Sequence, residues 1–119
     1  MKLDGSWIVE SLAVGGELVA PIPGPKPLSL EFEGDRFSGS AGVNRFMGQI
    51  GDEAPFPLVA TTLMAGPENL MTQEQVFLRL LESVDTIEAS ENGMFLLADG
   101  LVIVTLISAG TEATPRNVQ

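Results

Sequence analysis

Leu28, Leu30 and Phe32 alternate with Ser29, Glu31 and Glu33, the two-residue period of a strand with one face in a core and the other in water. The same period, less cleanly kept, runs through residues 6–14. There Trp7, Val9 and Ser11 share one face, and Ile8, Glu10 and Leu12 the other. Gly15 and Gly16 supply a hairpin turn, and residues 17–20 return briefly. The segment PIPGPKP holds four of the eight prolines, so it reads as a stiff loop outside any sheet interior. Gly34 and Asp35 turn the chain, residues 36–40 return around Phe37, and residues 40–42 form a small-residue bend or bulge. Residues 43–50 then make a strand with Asn44, Phe46, Gly48 and Ile50 on one face and Arg45, Met47 and Gln49 on the other. The Phe46 face is taken as the inner one.

A turn-rich stretch leads to a further strand over residues 59–64. The period then changes. Val76, Phe77, Leu80, Leu81 and Val84 fall on one helical stripe, with Thr72 as the expected N-cap and Gln75 three residues on as its capping-box partner. Glu74, Arg79, Glu82 and Ser83 are assigned to the solvent side, and the helix is drawn over residues 73–84. Three strands follow over residues 85–89, 94–98 and 101–107, separated by ENG and DG turns. The last is almost wholly apolar and is the best central strand. Strands, one helix, then strands give an α+β fold: a strongly curved, mainly antiparallel β-sheet or incomplete barrel packed against one amphipathic helix. Residues 1–107 form a single domain, and residues 108–119 a polar tail expected to fray.

Composition narrows the function more than the fold. The 119 residues include 16 acidic and 6 basic side chains, a formal charge of −10. Nucleic-acid binding needs clustered Lys and Arg and is excluded, as is attraction to anionic lipid. Cysteine and histidine are both absent, which removes thiolate and imidazole metal sites, thiol nucleophiles and any Ser-His-Asp arrangement. No apolar run approaches the roughly 18 residues of a spanning helix.

The polar residues offer few candidates. Asn44 and Arg45 adjoin on a strand and face opposite sides. An inward Asn44 needs amide partners, expected among backbone groups near Gly39 to Gly42, with reading of a ligand as the alternative. Arg45 is read as a surface ion pair or, alternatively, a carboxylate holder. Gly39, Gly42 and Gly48 do not open a helix after a strand, so they are turn, bulge or close-approach residues and not a phosphate loop. Asp52 and Glu53 read as a solvated turn. Trp7, Phe46, Met47, Met64 and Met71 are core residues in the plain reading and the lining of an apolar groove in the sharper one.

Two stretches, FSGSAGVNRFMGQI and ATTLMAGPENLMTQEQVFLRLLESV, resemble the META domain family, which includes heat-shock-associated HslJ-like proteins. Its first pattern falls on Phe37, Gly39, Gly42, Asn44, Phe46 and Gly48. Its second falls on Thr61, Thr62, Met64, Ala65, Met71, Glu74 and Phe77, and Trp7 is similar to the family's opening tryptophan. Two family cysteines are replaced by Val43 and Gly66, an arginine by Leu63, and a closing aromatic by Ile50. The resemblance implies a small α+β domain, often in bacterial envelope proteins and sometimes linked to stress, without an established molecular activity. It is also similar in fold to cracked-barrel pilot proteins that bind hydrophobic segments or lipid. The expectation is a non-enzymatic accessory or binding domain with no catalytic residue, cofactor or metal. The alternative is a carrier of a small apolar ligand or hydrophobic peptide segment. The family-motif positions are Gly39, Gly42, Asn44, Phe46, Gly48, Thr62, Met64 and Ala65. The candidate ligand contacts are Trp7, Asn44, Arg45, Met47, Met64 and Met71. Partners are a hydrophobic ligand or a protein, without nucleic acid or membrane insertion, in a soluble domain of either the envelope or the cytoplasm.

Overall fold

A computed structural model describes residues 5–52 and 55–109. Among them, nine strands and one helix follow in the order β1 (Gly5–Val14), β2 (Glu17–Val19), β3 (Ser29–Glu33), β4 (Arg36–Ser40), β5 (Arg45–Gln49), β6 (Leu58–Thr61), α1 (Glu68–Ser83), β7 (Thr86–Ala89), β8 (Gly93–Ala98) and β9 (Leu101–Ser108). The strands form one sheet in the order β6-β5-β4-β3-β1-β9-β8-β7, with β2 paired to β1 alone. Every pairing is antiparallel. Chain neighbours pair wherever a short turn allows it, and the one long connection, through α1, links the two outermost strands. The fold is therefore α+β, and the apolar β9 lies between β1 and β8 as its sequence pattern requires.

The inner face holds Val9, Leu12, Leu30, Phe32, Phe37, Phe46, Leu96, Val104 and Leu106, and α1 lays Phe77 and Leu81 against it. Phe46 meets Phe77 edge-on at 5.8 Å between ring centres, so the sheet and helix share one aromatic contact at the centre. Phe56 joins from the loop before β6, edge-on to Phe37 at 5.2 Å.

Several expectations need correction. The face assignment in β1 holds at Trp7 and Val9 but then inverts. The register shifts between Val9 and Ser11, which turns Ser11 outward and seats Leu12 in the core. Helix α1 begins at Glu68, with Pro67 as its N-cap and no capping side chain, so Thr72 lies inside the helix. Proline fits there because the first helical N–H groups have no partner in the helix in any case. Glu74 is buried on the inner stripe and not on the solvent side. The strand expected over 59–64 ends at Thr61, and the one over 43–50 begins at Arg45. The PIPGPKP segment is a loop, as read. It lies across α1, with Ile22 N–H donating to the buried Gln73 Oε1 at 2.7 Å and Gly24 against Leu70. Of the tail expected over 108–119, Ser108 belongs to β9 and Ala109 N–H donates to the Ser6 carbonyl at 2.9 Å, while residues 110–119 and Glu53 lie outside the described residues.

Candidate functional site

Phe37 and Phe46 each precede a glycine by two positions, and the β4–β5 register turns that repetition into a packing device. Phe37 stands opposite Gly48, and Gly39 opposite Phe46. Each ring lies over the glycine of the other strand. A Cβ on Gly39 would fall on the Ser29 carbonyl oxygen and 2.8 Å from the Phe46 ring. A Cβ on Gly48 would fall on the Pro57 carbonyl and against the Phe37 ring. The motif glycines are thus holes for aromatic rings and neighbouring strands.

Beyond Gly39 the chain bends. Gly42 takes φ +108°, a value that L side chains rarely adopt, and the bend aims two successive N–H groups, Val43 and Asn44, at one point. That point is Glu74 Oε1, at 3.2 and 2.8 Å. The other carboxylate oxygen accepts from Asn44 Nδ2 at 2.6 Å. Asn44 completes its own set on the loop after β6. Its Oδ1 accepts from Met64 N–H at 2.6 Å and from the Thr62 hydroxyl at 2.8 Å, while Nδ2 also donates to the Met64 carbonyl at 3.1 Å. Thr62 Oγ1 in turn accepts from Arg45 N–H at 3.0 Å. Asn44 is 3% exposed and Glu74 5%, and the bonds from Asn44 N–H and Nδ2 to Glu74 form away from bulk water, where an unmade partner is costly. The expected partners of Asn44 near Gly39 to Gly42 are replaced by Glu74, Thr62 and Met64. Only its backbone carbonyl turns toward the bend, accepting from Ala41 N–H at 2.8 Å. The amide reaches past the bend because the Met64 N–H, the Met64 carbonyl, the Thr62 hydroxyl and the Glu74 carboxylate satisfy all four of its sites at once.

This network binds three distant segments: the β4–β5 bend, the loop after β6 and the second turn of α1. Sequence reading missed the role of Glu74 although a signal was present. Leu70, Glu74, Phe77 and Leu81 recur at spacings of four, three and four, which places the glutamate in the middle of the apolar stripe.

The remaining candidates disperse. Arg45 is exposed and pairs with Glu31 at 3.6 Å. Met47 lies on the outer face of β5 and is 55% exposed, Met64 is 56% exposed, and Met71 is half-buried on α1. Trp7 faces the core from β1, half-buried, and among the described residues its Nε1 is the buried side-chain polar atom without a hydrogen-bond partner. Asn44 and Met64 are brought together; Trp7, two strands away from β4, is not part of that group. Val43 and Gly66, where the family pattern carries cysteines, do meet. A Cβ on Gly66 would lie 2.8 Å from Val43 Cγ2 and 3.5 Å from Val43 Cβ.

Two open clefts adjoin these elements. One, of about 460 Å³, lies on the outer face among Glu31, Glu33, Arg36, Met47 and Val59. The other, of about 510 Å³, lies between the β1–β2 hairpin and α1, with Val14, Val19, Ile22 and Val76 in its walls. Among the described residues no group of three or more acidic side chains gathers as a metal site would require, and no helix is long and apolar enough to cross a membrane. The META domain family model matches residues 1–109. No curated protein and no solved structure matches the chain.

Proposed function

Because this chain belongs to the META domain family, we propose that it works as a non-enzymatic accessory domain whose signature residues build a binding scaffold. The observation that carries this reading is the consumption of the signature's polar groups. Every hydrogen-bonding site of the Asn44 amide is spent inside the protein, and both Glu74 oxygens accept from the chain itself. A general acid, base or nucleophile needs reach to a substrate atom, and neither side chain has it. Curvature of the sheet around α1 belongs to the same reading, supported by the Phe46–Phe77 contact and the register shifts in β1, β6 and β9. Assay of ester, phosphoester and glycoside hydrolysis tests it. The expected result is no turnover above a heat-treated control. Turnover that is lost in a folded variant of Asp52 or of Glu31 and Glu33 overturns it.

A second reading, carriage of a small apolar ligand, draws on the cleft between the β1–β2 hairpin and α1. Its apolar walls and its volume of about 510 Å³ suit a small molecule. Native mass spectrometry of protein from its own host would show an added mass released on denaturation. A bare protomer counts against it.

A further inference from the structure

The outer face of the sheet divides into two unlike halves. Over β3, β4 and β5 it is polar around an exposed Met47: Glu31 pairs across to Ser38, Glu33 to Arg36, and Arg36 to Gln49. Over β1, β9 and β8 it is apolar. Ile8 stands opposite Ile107, and Leu97 opposite Val102, with Phe95 beside them across from Thr105. These side chains stand outside the core cluster. Leu97 is buried yet stands apart from the core cluster, and Phe95 and Ile107 are 37% and 40% exposed. The one polar pair in this half, Ser11 and Thr105, satisfies itself through a 2.6 Å hydroxyl contact and asks nothing of water.

Charge divides along the same line. No Lys or Arg occurs between Lys2 and Lys26, or between Arg79 and Arg116, the stretches that supply β1, β2, β7, β8 and β9. Acidic groups surround the apolar half. Glu88 lies across from Phe95, Glu10 is exposed at the β1 bulge, Glu91 marks one end, and Asp85 and Asp99 the other. Two of the chain's six cations, Arg36 and Arg45, stand in the polar half.

We infer that the outer face of β1, β9 and β8 is a docking surface for a cationic amphipathic helix of a partner protein. The apolar centre takes the helix's apolar stripe, and the acidic rim takes its flanking Lys and Arg. A second copy of this chain would set each rim carboxylate against its like, with ten net negative charges on either side. An anionic bilayer would meet the same repulsion. The inference rests on the binding reading above and adds the class of partner.

The test titrates the full chain with a Leu/Lys amphipathic helical peptide of about 18 residues, some five turns, beside a scrambled peptide of identical charge. Two pairs of substitutions go with it: Phe95→Ser with Ile107→Ser on the proposed face, and Met47→Ser with Val59→Ser on the other half. The expected result is saturable binding of the amphipathic peptide that falls about tenfold or more in the first pair and stays unchanged in the second. Amide shifts are expected in β1, β8 and β9, and weakening with added salt. Absence of binding, equal binding of the scrambled peptide, equal loss in both pairs, or preference for phosphatidylglycerol vesicles over the peptide overturns it. Self-association that buries Phe95 and Ile107 also overturns it. Hydrolytic turnover would instead defeat the binding reading and leaves these outcomes distinguishable.

Discussion

Val43 and Gly66, which stand where the resembled pattern has cysteines, are set against each other, with the Val43 methyl groups in the space that a side chain at 66 would need. Gly66→Ala is expected to lower stability by about 1–3 kcal/mol, and the loss should shrink when Val43→Ala opens the space, as urea unfolding of the two singles and the double would read out. The Cβ separation of 3.5 Å also lies at the near end of disulfide geometry. The double variant Val43→Cys, Gly66→Cys should therefore lose both free thiols on mild oxidation. Two thiols still titrating after oxidation would contradict the geometry. At Gly48, where a Cβ would strike the Pro57 carbonyl, Gly48→Ala should cost about 3 kcal/mol or more, since backbone cannot yield as a side chain can. These facts were half legible in the sequence. The glycines read as close-approach residues, but which ring fills each hole depends on the register between β4 and β5, which no local pattern states.

At the scale of elements, the hairpin of β8 and β9 depends on a carboxylate outside it. Asp85 Oδ2 accepts from Asp99 N–H at 3.0 Å and Oδ1 from the Thr86 hydroxyl at 2.8 Å. The Asp99 bond first, and the Thr86 bond after it, hold the Asp85 carboxyl below its ordinary range. Asp99 sits at φ +53°, a turn conformation uncommon for a residue with a side chain, so this contact fixes a turn that gains from support. A carboxyl whose value is lowered by folding contributes stability that is full above its unfolded value, about 4, and is lost as pH falls through the lowered folded value. The stability gap between the wild type and Asp85→Asn should be present near neutral pH and close in acid. A gap that is constant with pH would contradict the role of the charge. The elements themselves were largely readable. Alternation gave β3, and the turn residues gave the hairpins. The inversion in β1 escaped because a one-residue bulge at Glu10 changes which period the following residues obey. The start of α1 escaped because Pro67 opens the helix without a capping side chain to announce it.

Across the whole molecule, the buried amide and carboxylate serve as the joint between the two halves of the chain. Glu74 comes from the helix that links the two outermost strands, and Asn44 from the bend that leads into β5. Sequence patterns told that Asn44 was distinctive, yet they assigned Glu74 to water, because a charged residue on an apolar stripe reads as solvent-facing until its three donors are seen. On the proposed reading, the family signature is a structural joint and not a reactive site. A double-mutant cycle in urea, with Asn44→Ala, Glu74→Ala and both together, tests it most directly. Each single change should cost about 2–4 kcal/mol, because it strands buried partners. The double should cost less than the sum, with a coupling of at least about 1 kcal/mol. Singles that remain within about 0.5 kcal/mol of the wild type, or losses that simply add, would contradict the account.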